Sequence, residues 1–144
     1  MDASELLGVF DVTPGALLLR GVVSPADGLQ RTELTNAPAV ATLQFPLQVS
    51  KTWQITTNVT GLAQGIFANY TEKYDTQVDA AGEVVTPYGT FRALRLRTIL
   101  TRTVGLVVTT IRVYAFVAEC FGTIARITSK DNEPNPDFSW LDPT

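Results

Sequence analysis

The chain has 144 residues, of which 45% are hydrophobic and 17% are charged, with a formal net charge of −3; this balance predicts one globular domain, residues 1–144, and excludes a disordered chain. It contains no histidine and a single cysteine, Cys120, so imidazole-dependent catalysis, histidine-ligated zinc and four-thiolate metal sites all lack their residues. No apolar run is long enough for a membrane-spanning helix and no glycine-rich phosphate-binding motif occurs, so we predict a protein that is not transmembrane.

The N-terminal part, residues 1–46, is predicted to be rich in loops. Ser4 to Phe10 is the best candidate for a short helix, with Ser4 as its N-cap, although strands around Leu6 to Phe10 and Ala16 to Val23 also fit. Ser24 to Pro46 is interrupted by prolines and a glycine, which predicts loops with one short extended piece.

Two long segments follow that alternate between apolar and polar residues. Leu47 to Thr60 and Ile66 to Ala80 each have one largely polar face, which predicts half-buried strands of an antiparallel sheet. The glycine-bounded segment Gly61 to Gly65 has the length of a hairpin connection. Phe67 is an exception to the alternation because it lies on the polar face of its segment.

Two turns are predicted next, at Asp79 to Gly82 and at Pro87 to Gly89, with a short extended piece, Glu83 to Thr86, between them. Arg92 to Arg102 alternates again and predicts a strand, preceded by a bulge or change of face near Phe91.

The last part of the sheet is predicted from Leu106 to Cys120 and Thr123 to Ser129. The first segment has apolar residues on both parities, which indicates a central strand covered on both faces. Residues 130–144 form an irregular, acidic, proline-rich tail, in which three apolar residues are candidates for docking on the sheet: Phe138, Trp140 and Leu141. The fold class is therefore all-β, a curved antiparallel sheet of about seven to nine strands with its core at residues 47–129 and at most one short helix, either a half-barrel or a flattened sandwich.

Basic residues are concentrated in one segment. Residues 92–130 hold seven arginines and lysines but one acid, Glu119. Such a strip is able to attract nucleic acid or a phosphorylated lipid, but Arg95 and Arg97 also fit the solvent face of a strand opposite Asp75 or Asp79. The acidic balance of the whole chain favours cross-strand pairing, so we predict no nucleic-acid partner.

Arg112 differs from the other arginines because it lies inside the most apolar segment. A buried guanidinium needs a partner, for which Glu119, Glu72 or an anionic ligand are candidates. Aromatic residues of the predicted interior form either ordinary core or the wall of an apolar pocket. The predicted ligand-binding set is Trp53, Tyr70, Tyr74, Arg112, Tyr114 and Phe116.

Three stretches carry a resemblance: FPLQVSKTW from Phe45, GEVVTPYGTFRALRLR from Gly82, and YAFVAECFGTIARITS from Tyr114. Together they resemble uncharacterised exported bacterial β-rich domains and lipoproteins. Ser50 departs from this pattern, which has glycine before the tryptophan. The resemblance implies a build similar to that of periplasmic lipoprotein carriers, whose curved sheets bind acyl chains on a concave apolar face, and it implies no catalytic residue.

The sequence leaves two functional hypotheses. The first is a non-catalytic binding domain that holds an apolar or lipid-like ligand on the concave sheet face, and the second is a structural or protein-interaction module with a filled core, with a homodimer as one form. Carboxylate pairs such as Glu72 with Asp75 remain as candidate acid and base, although residues three apart on a strand point to opposite faces. No cofactor is predicted. The threonine-rich, lysine-poor composition is typical of exported proteins, so we predict a periplasmic, cell-surface or extracellular protein, although the first residues have no signal-peptide pattern.

Overall fold

The computed structural model describes residues 5–25 and 27–134, which form eight β-strands and contain no α-helix. The strands form one antiparallel sheet in the order of the chain, from β1 to β8. This confirms the prediction of an all-β antiparallel sheet. The strands are β1 (Leu7–Val12), β2 (Ala16–Val23), β3 (Glu33–Gln44), β4 (Thr52–Ala63), β5 (Ile66–Thr86), β6 (Gly89–Val104), β7 (Val107–Ala118) and β8 (Gly122–Thr128).

The N-terminal part contains more strand than the sequence predicted. β1 and β2 confirm the alternative strands around Leu6 to Phe10 and Ala16 to Val23. The candidate helix, whose N-cap Ser4 lies outside the described residues, is therefore wrong, and β3 occupies much of the predicted loop. The alternation of β3 is hard to read because Leu34 and Asn36 are buried on one parity, whereas Val40 and Ala41 are buried as neighbours. A proline within the strand separates the two patterns, and its missing N–H breaks the pairing ladder.

The central strands differ from the prediction at their ends. β4 begins at Thr52 because residues 49–50 form a turn, in which the Ser50 amide donates to the carbonyl oxygen of Val78 at 2.8 Å. β5 continues to Thr86, so the turn predicted at Asp79 to Gly82 is wrong. The turn after Thr86 lies at Pro87 and Tyr88, as predicted.

The C-terminal strands β7 and β8 also follow the prediction closely, although most side chains of β7 are half-buried rather than buried on both faces. After β8 the chain continues beside β7, where the amides of Ser129 and Asn132 donate to the carbonyl oxygens of Arg112 and Thr110, each at 2.8 Å. The side chains proposed to dock from the tail, those of Phe138, Trp140 and Leu141, lie outside the described residues.

The chain contains two compact units. Unit 1 comprises Met1–Pro46, Ile55–Lys73 and Arg102–Val108, and unit 2 comprises Leu47–Gln54, Tyr74–Thr101 and Thr109–Thr144. The assignment of residues 1–144 to one domain stays a prediction. Among the described residues, buried apolar side chains of unit 1 are Leu34, Val40, Ala41 and Val59, and those of unit 2 are Trp53, Val78, Ala93, Leu96, Val117 and Ala118.

Candidate functional site

Side-chain contacts fix how β5 and β6 are aligned. Within unit 2, Thr76 meets Thr98, Gln77 meets Arg97 and Asp79 meets Arg95. Because successive side chains of a strand point to opposite faces, Thr76 and the fully buried Val78 define the buried face of unit 2. The opposite face, which we name the open face of unit 2, carries Gln77, Asp79, Arg95 and Arg97.

The open face of unit 2 carries a stacked ion pair. The Arg95 guanidinium donates from Nε to Asp79 Oδ1 at 2.8 Å and from an Nη atom to Oδ2 at 3.1 Å, and it lies 5.2 Å from the centre of the Tyr114 ring. The hydrogen bond to Asp79 raises the pKa of Arg95, against the opposing effect of burial. This confirms the predicted cross-strand pairing of Arg95 with Asp79.

A polar recess of about 390 Å³ lies beside this pair. Arg97 lines it and donates to the amide oxygen of Gln77 at 2.9 Å, so its partner is an amide rather than either predicted aspartate. Gln54 donates across the strands to Asp75. The recess is lined mostly by polar side chains that already bond to one another, which makes it a poor site for an apolar ligand.

The predicted ligand-binding residues are not brought together on one face. Trp53 is buried in unit 2, and Tyr74 shares the parity of the buried Thr76. Tyr114 lies on the open face under Arg95, and alternation along β7 places Phe116 and Arg112 on that same face. Tyr70 belongs to unit 1.

Arg112 has partners that the sequence did not reveal. Its Nη1 atom donates to the backbone carbonyl oxygens of Glu133 and Pro134, at 2.5 and 2.8 Å. The sequence suggested Glu119 or Glu72 instead, because a carboxylate is the usual partner of a guanidinium. A backbone carbonyl group is present in every residue, so the residue types do not show which one accepts from Arg112. Arg112 therefore holds the segment that follows β8 against β7.

Glu72 instead pairs with Arg102, and both lie in unit 1. The Glu72 side chain is 5% exposed and accepts from Arg102 Nε at 2.8 Å, while the guanidinium lies 5.3 Å from the centre of the Tyr70 ring. Burial and the adjacent Glu72 carboxylate raise the pKa of Tyr70 above 10.0, with Arg102 acting in the opposite direction. The cluster is internally satisfied, so we assign it a structural role.

One end of unit 1 exposes a group of apolar side chains that the sequence analysis did not assemble. Ile66 and Phe67 begin β5, directly after the turn at Gln64 and Gly65, and both are more than 70% exposed. In the turn between β6 and β7, Leu106 is fully exposed. We name this group the apolar end, and its members are Leu29, Ile66, Phe67, Val104, Leu106, Val107 and Val108.

Two sets of contacts bring the segments of the apolar end together within unit 1. The pairing of Glu72 with Arg102 continues the alignment seen between Thr76 and Thr98, so the start of β5 lies beside the turn that follows β6. The Gly65 amide donates to the carbonyl oxygen of Arg31 at 2.9 Å, which holds the loop containing Leu29 against the turn between β4 and β5. Of these residues, the sequence pattern had marked Phe67 alone, as an apolar residue on a polar face.

No protein-family model, curated protein or solved structure matches this chain. Within residues 5–25 and 27–134, no group of three acidic or thiol side chains is placed to hold a metal ion, and no helix is long and apolar enough to cross a membrane.

Proposed function

We propose that this protein is a non-catalytic binding module that associates with an apolar partner through the apolar end of unit 1. Of the two hypotheses drawn from the sequence, this proposal is closer to the protein-interaction module than to the domain that holds a ligand on its concave face. The predicted export and the resemblance to exported β-rich domains remain predictions that fit such a role.

One observation carries the proposal: in the described part of the chain, sixteen large hydrophobic side chains are exposed, whereas ten hydrophobic side chains are buried. Scattered apolar residues are normal on a protein surface, but clustered ones mark interaction sites. Seven of the exposed side chains belong to the apolar end. Covering a leucine or phenylalanine side chain yields about 1.5–3 kcal/mol, so even partial covering of this group supports binding.

A small apolar ligand on the buried face of unit 2 is the second candidate. It is favoured by Trp53 and Tyr74, two aromatic side chains on the face that carries Val78. The other predicted aromatic residues of unit 2, Tyr114 and Phe116, lie on the open face, which weighs against a shared pocket for a small ligand. Trp53 is also 8% exposed, which leaves little of its ring for a ligand.

Binding of the dye anilinonaphthalene sulfonate tests the proposal, because the dye fluoresces on exposed apolar surface. We expect the folded protein to bind the dye, and Leu106→Asp to lower its fluorescence markedly. Val85→Asp is the matched control, since Val85 is 81% exposed in unit 2 and receives the same change. Unchanged dye binding in the Leu106 variant, with loss in a Trp53→Ala variant, would favour the second candidate.

A further inference from the structure

We infer that the apolar end is a site for docking on the surface of a neutral lipid bilayer, with the apolar side chains at the ends of the β4–β5 and β6–β7 hairpins entering the hydrocarbon. This inference rests on the proposed function and names its partner. It concerns contact with a membrane surface from one side.

The two hairpins of the apolar end carry no charge at their ends. No charged residue occurs from Thr52 to Thr71, nor from Thr103 to Ile111, so both hairpin turns of the apolar end lack charge entirely. In the loop that contains Leu29, Arg31 pairs with Glu33 at 3.5 Å and Asp27 lies two residues before Leu29, so this loop carries one net negative charge. The two uncharged, apolar hairpin ends match the hydrocarbon interior of a bilayer, where charged groups are costly, and the net negative charge of the Leu29 loop disfavours an anionic headgroup layer.

The side chains of the apolar end project from the protein surface. The members lie in one loop and at the ends of two hairpins, and the most exposed of them, Leu106 and Leu29, are 102% and 94% exposed. Side chains that project in this way require matching pockets in a protein partner, because protein interfaces pack as densely as protein interiors. Fluid acyl chains adapt to any such projection.

The composition of the apolar end is almost entirely aliphatic. Binding hot spots between proteins are enriched in tryptophan, tyrosine and arginine, whereas leucine and valine are under-represented. The apolar end contains none of the three enriched types: six of its members are aliphatic and one is Phe67. The group therefore resembles a lipid-contacting surface more than the interface for a second copy of the chain.

Flotation with lipid vesicles tests the inference. We expect the full chain to float with phosphatidylcholine vesicles that carry no net charge, and Leu106→Asp and Phe67→Asp each to weaken the partition coefficient about tenfold or more. Val85→Asp is expected to float like the unchanged protein. Raising the salt from about 0.1 M to about 1 M, which shortens the Debye length from about 10 Å to about 3 Å, is expected not to release the protein.

Other outcomes separate failure of this inference from failure of the proposed function. Flotation with phosphatidylserine vesicles alone, reversed by salt, would contradict a neutral hydrocarbon partner. Absence of flotation, together with a concentration-dependent dimer in light scattering that Leu106→Asp abolishes, would overturn the bilayer and leave the binding module, with a second copy as its partner. If the Leu106 variant changes neither flotation, dimer formation nor dye binding, both proposals are wrong.

Discussion

The basic residues of this chain are best explained by their individual partners. Arg95 and Asp79 form a two-point ion pair on a partly exposed strand face, of the kind that contributes up to about 1 kcal/mol. Its existence was predictable, because residues on the solvent faces of neighbouring strands meet across the ladder. The hydrogen bonds of Arg112 to backbone carbonyl oxygens were not predictable, because every residue has a carbonyl group and the sequence does not show which of them lies near Arg112.

Tyr70 gives a prediction at the residue scale. Its pKa is raised above the ordinary value of 10.0, so the unfolded chain releases the phenolic proton first as the pH rises. The stabilising effect is fully present below pH 10 and is lost as the pH rises through the folded pKa, with a slope of at most about 1.4 kcal/mol per pH unit.

Urea unfolding of the Tyr70→Phe variant between pH 8 and about pH 11 measures this effect. We expect the unfolding free energy of the variant to fall less steeply at high pH than that of the unchanged protein. Tyr88→Phe is the control, because the Tyr88 side chain is 93% exposed. Identical slopes for the Tyr70 variant and the unchanged protein would contradict the assignment.

The strands themselves were predictable where alternation was clean, as in β4, β5 and β6. β3 was missed because its buried residues change parity around a proline. Gly82 led to a predicted turn inside β5, since glycine is the commonest turn residue and the sequence does not reveal that this one is extended.

Two glycines give a prediction at the scale of elements. Gly65, in the turn between β4 and β5, has φ of +78°, and a Cβ there would lie 2.0 Å from the carbonyl oxygen of Leu29. We expect Gly65→Ala to lower the unfolding free energy by more than about 1 kcal/mol. Gly82 has no atom within 4 Å of such a Cβ, so Gly82→Ala is expected to add about 0.4–1 kcal/mol.

Urea unfolding of the two alanine variants compares these sites under the same conditions. Equal changes at Gly65 and Gly82 would show that the contact between the Leu29 loop and the turn does not restrict the backbone. The dye and vesicle measurements on Gly65→Ala then report whether that contact also positions Leu29 within the apolar end.

At the scale of the whole molecule, the functional proposal depends on surface that no local pattern revealed. The seven members of the apolar end come from three segments distant in sequence, and pairing of the strands brings these segments together. The sequence also predicted that six ligand-binding residues share one interior. Alternation within a strand shows which of its residues lie on the same face, but it does not show which face of the neighbouring strand lies on that side of the sheet. The contact of Arg95 with Tyr114 shows that Tyr114 of β7 lies on the same side of the sheet as Arg95 of β6.

Flotation of the unchanged protein and its Leu106→Asp and Val85→Asp variants with phosphatidylcholine vesicles, at matched protein and lipid concentrations, tests most directly whether the apolar end binds a bilayer. We expect the unchanged protein and the Val85 variant to float with the vesicles, and the partition coefficient of the Leu106 variant to be lower by about tenfold or more. Equal flotation of the Leu106 variant and the unchanged protein, or no flotation of the unchanged protein, would contradict this binding site.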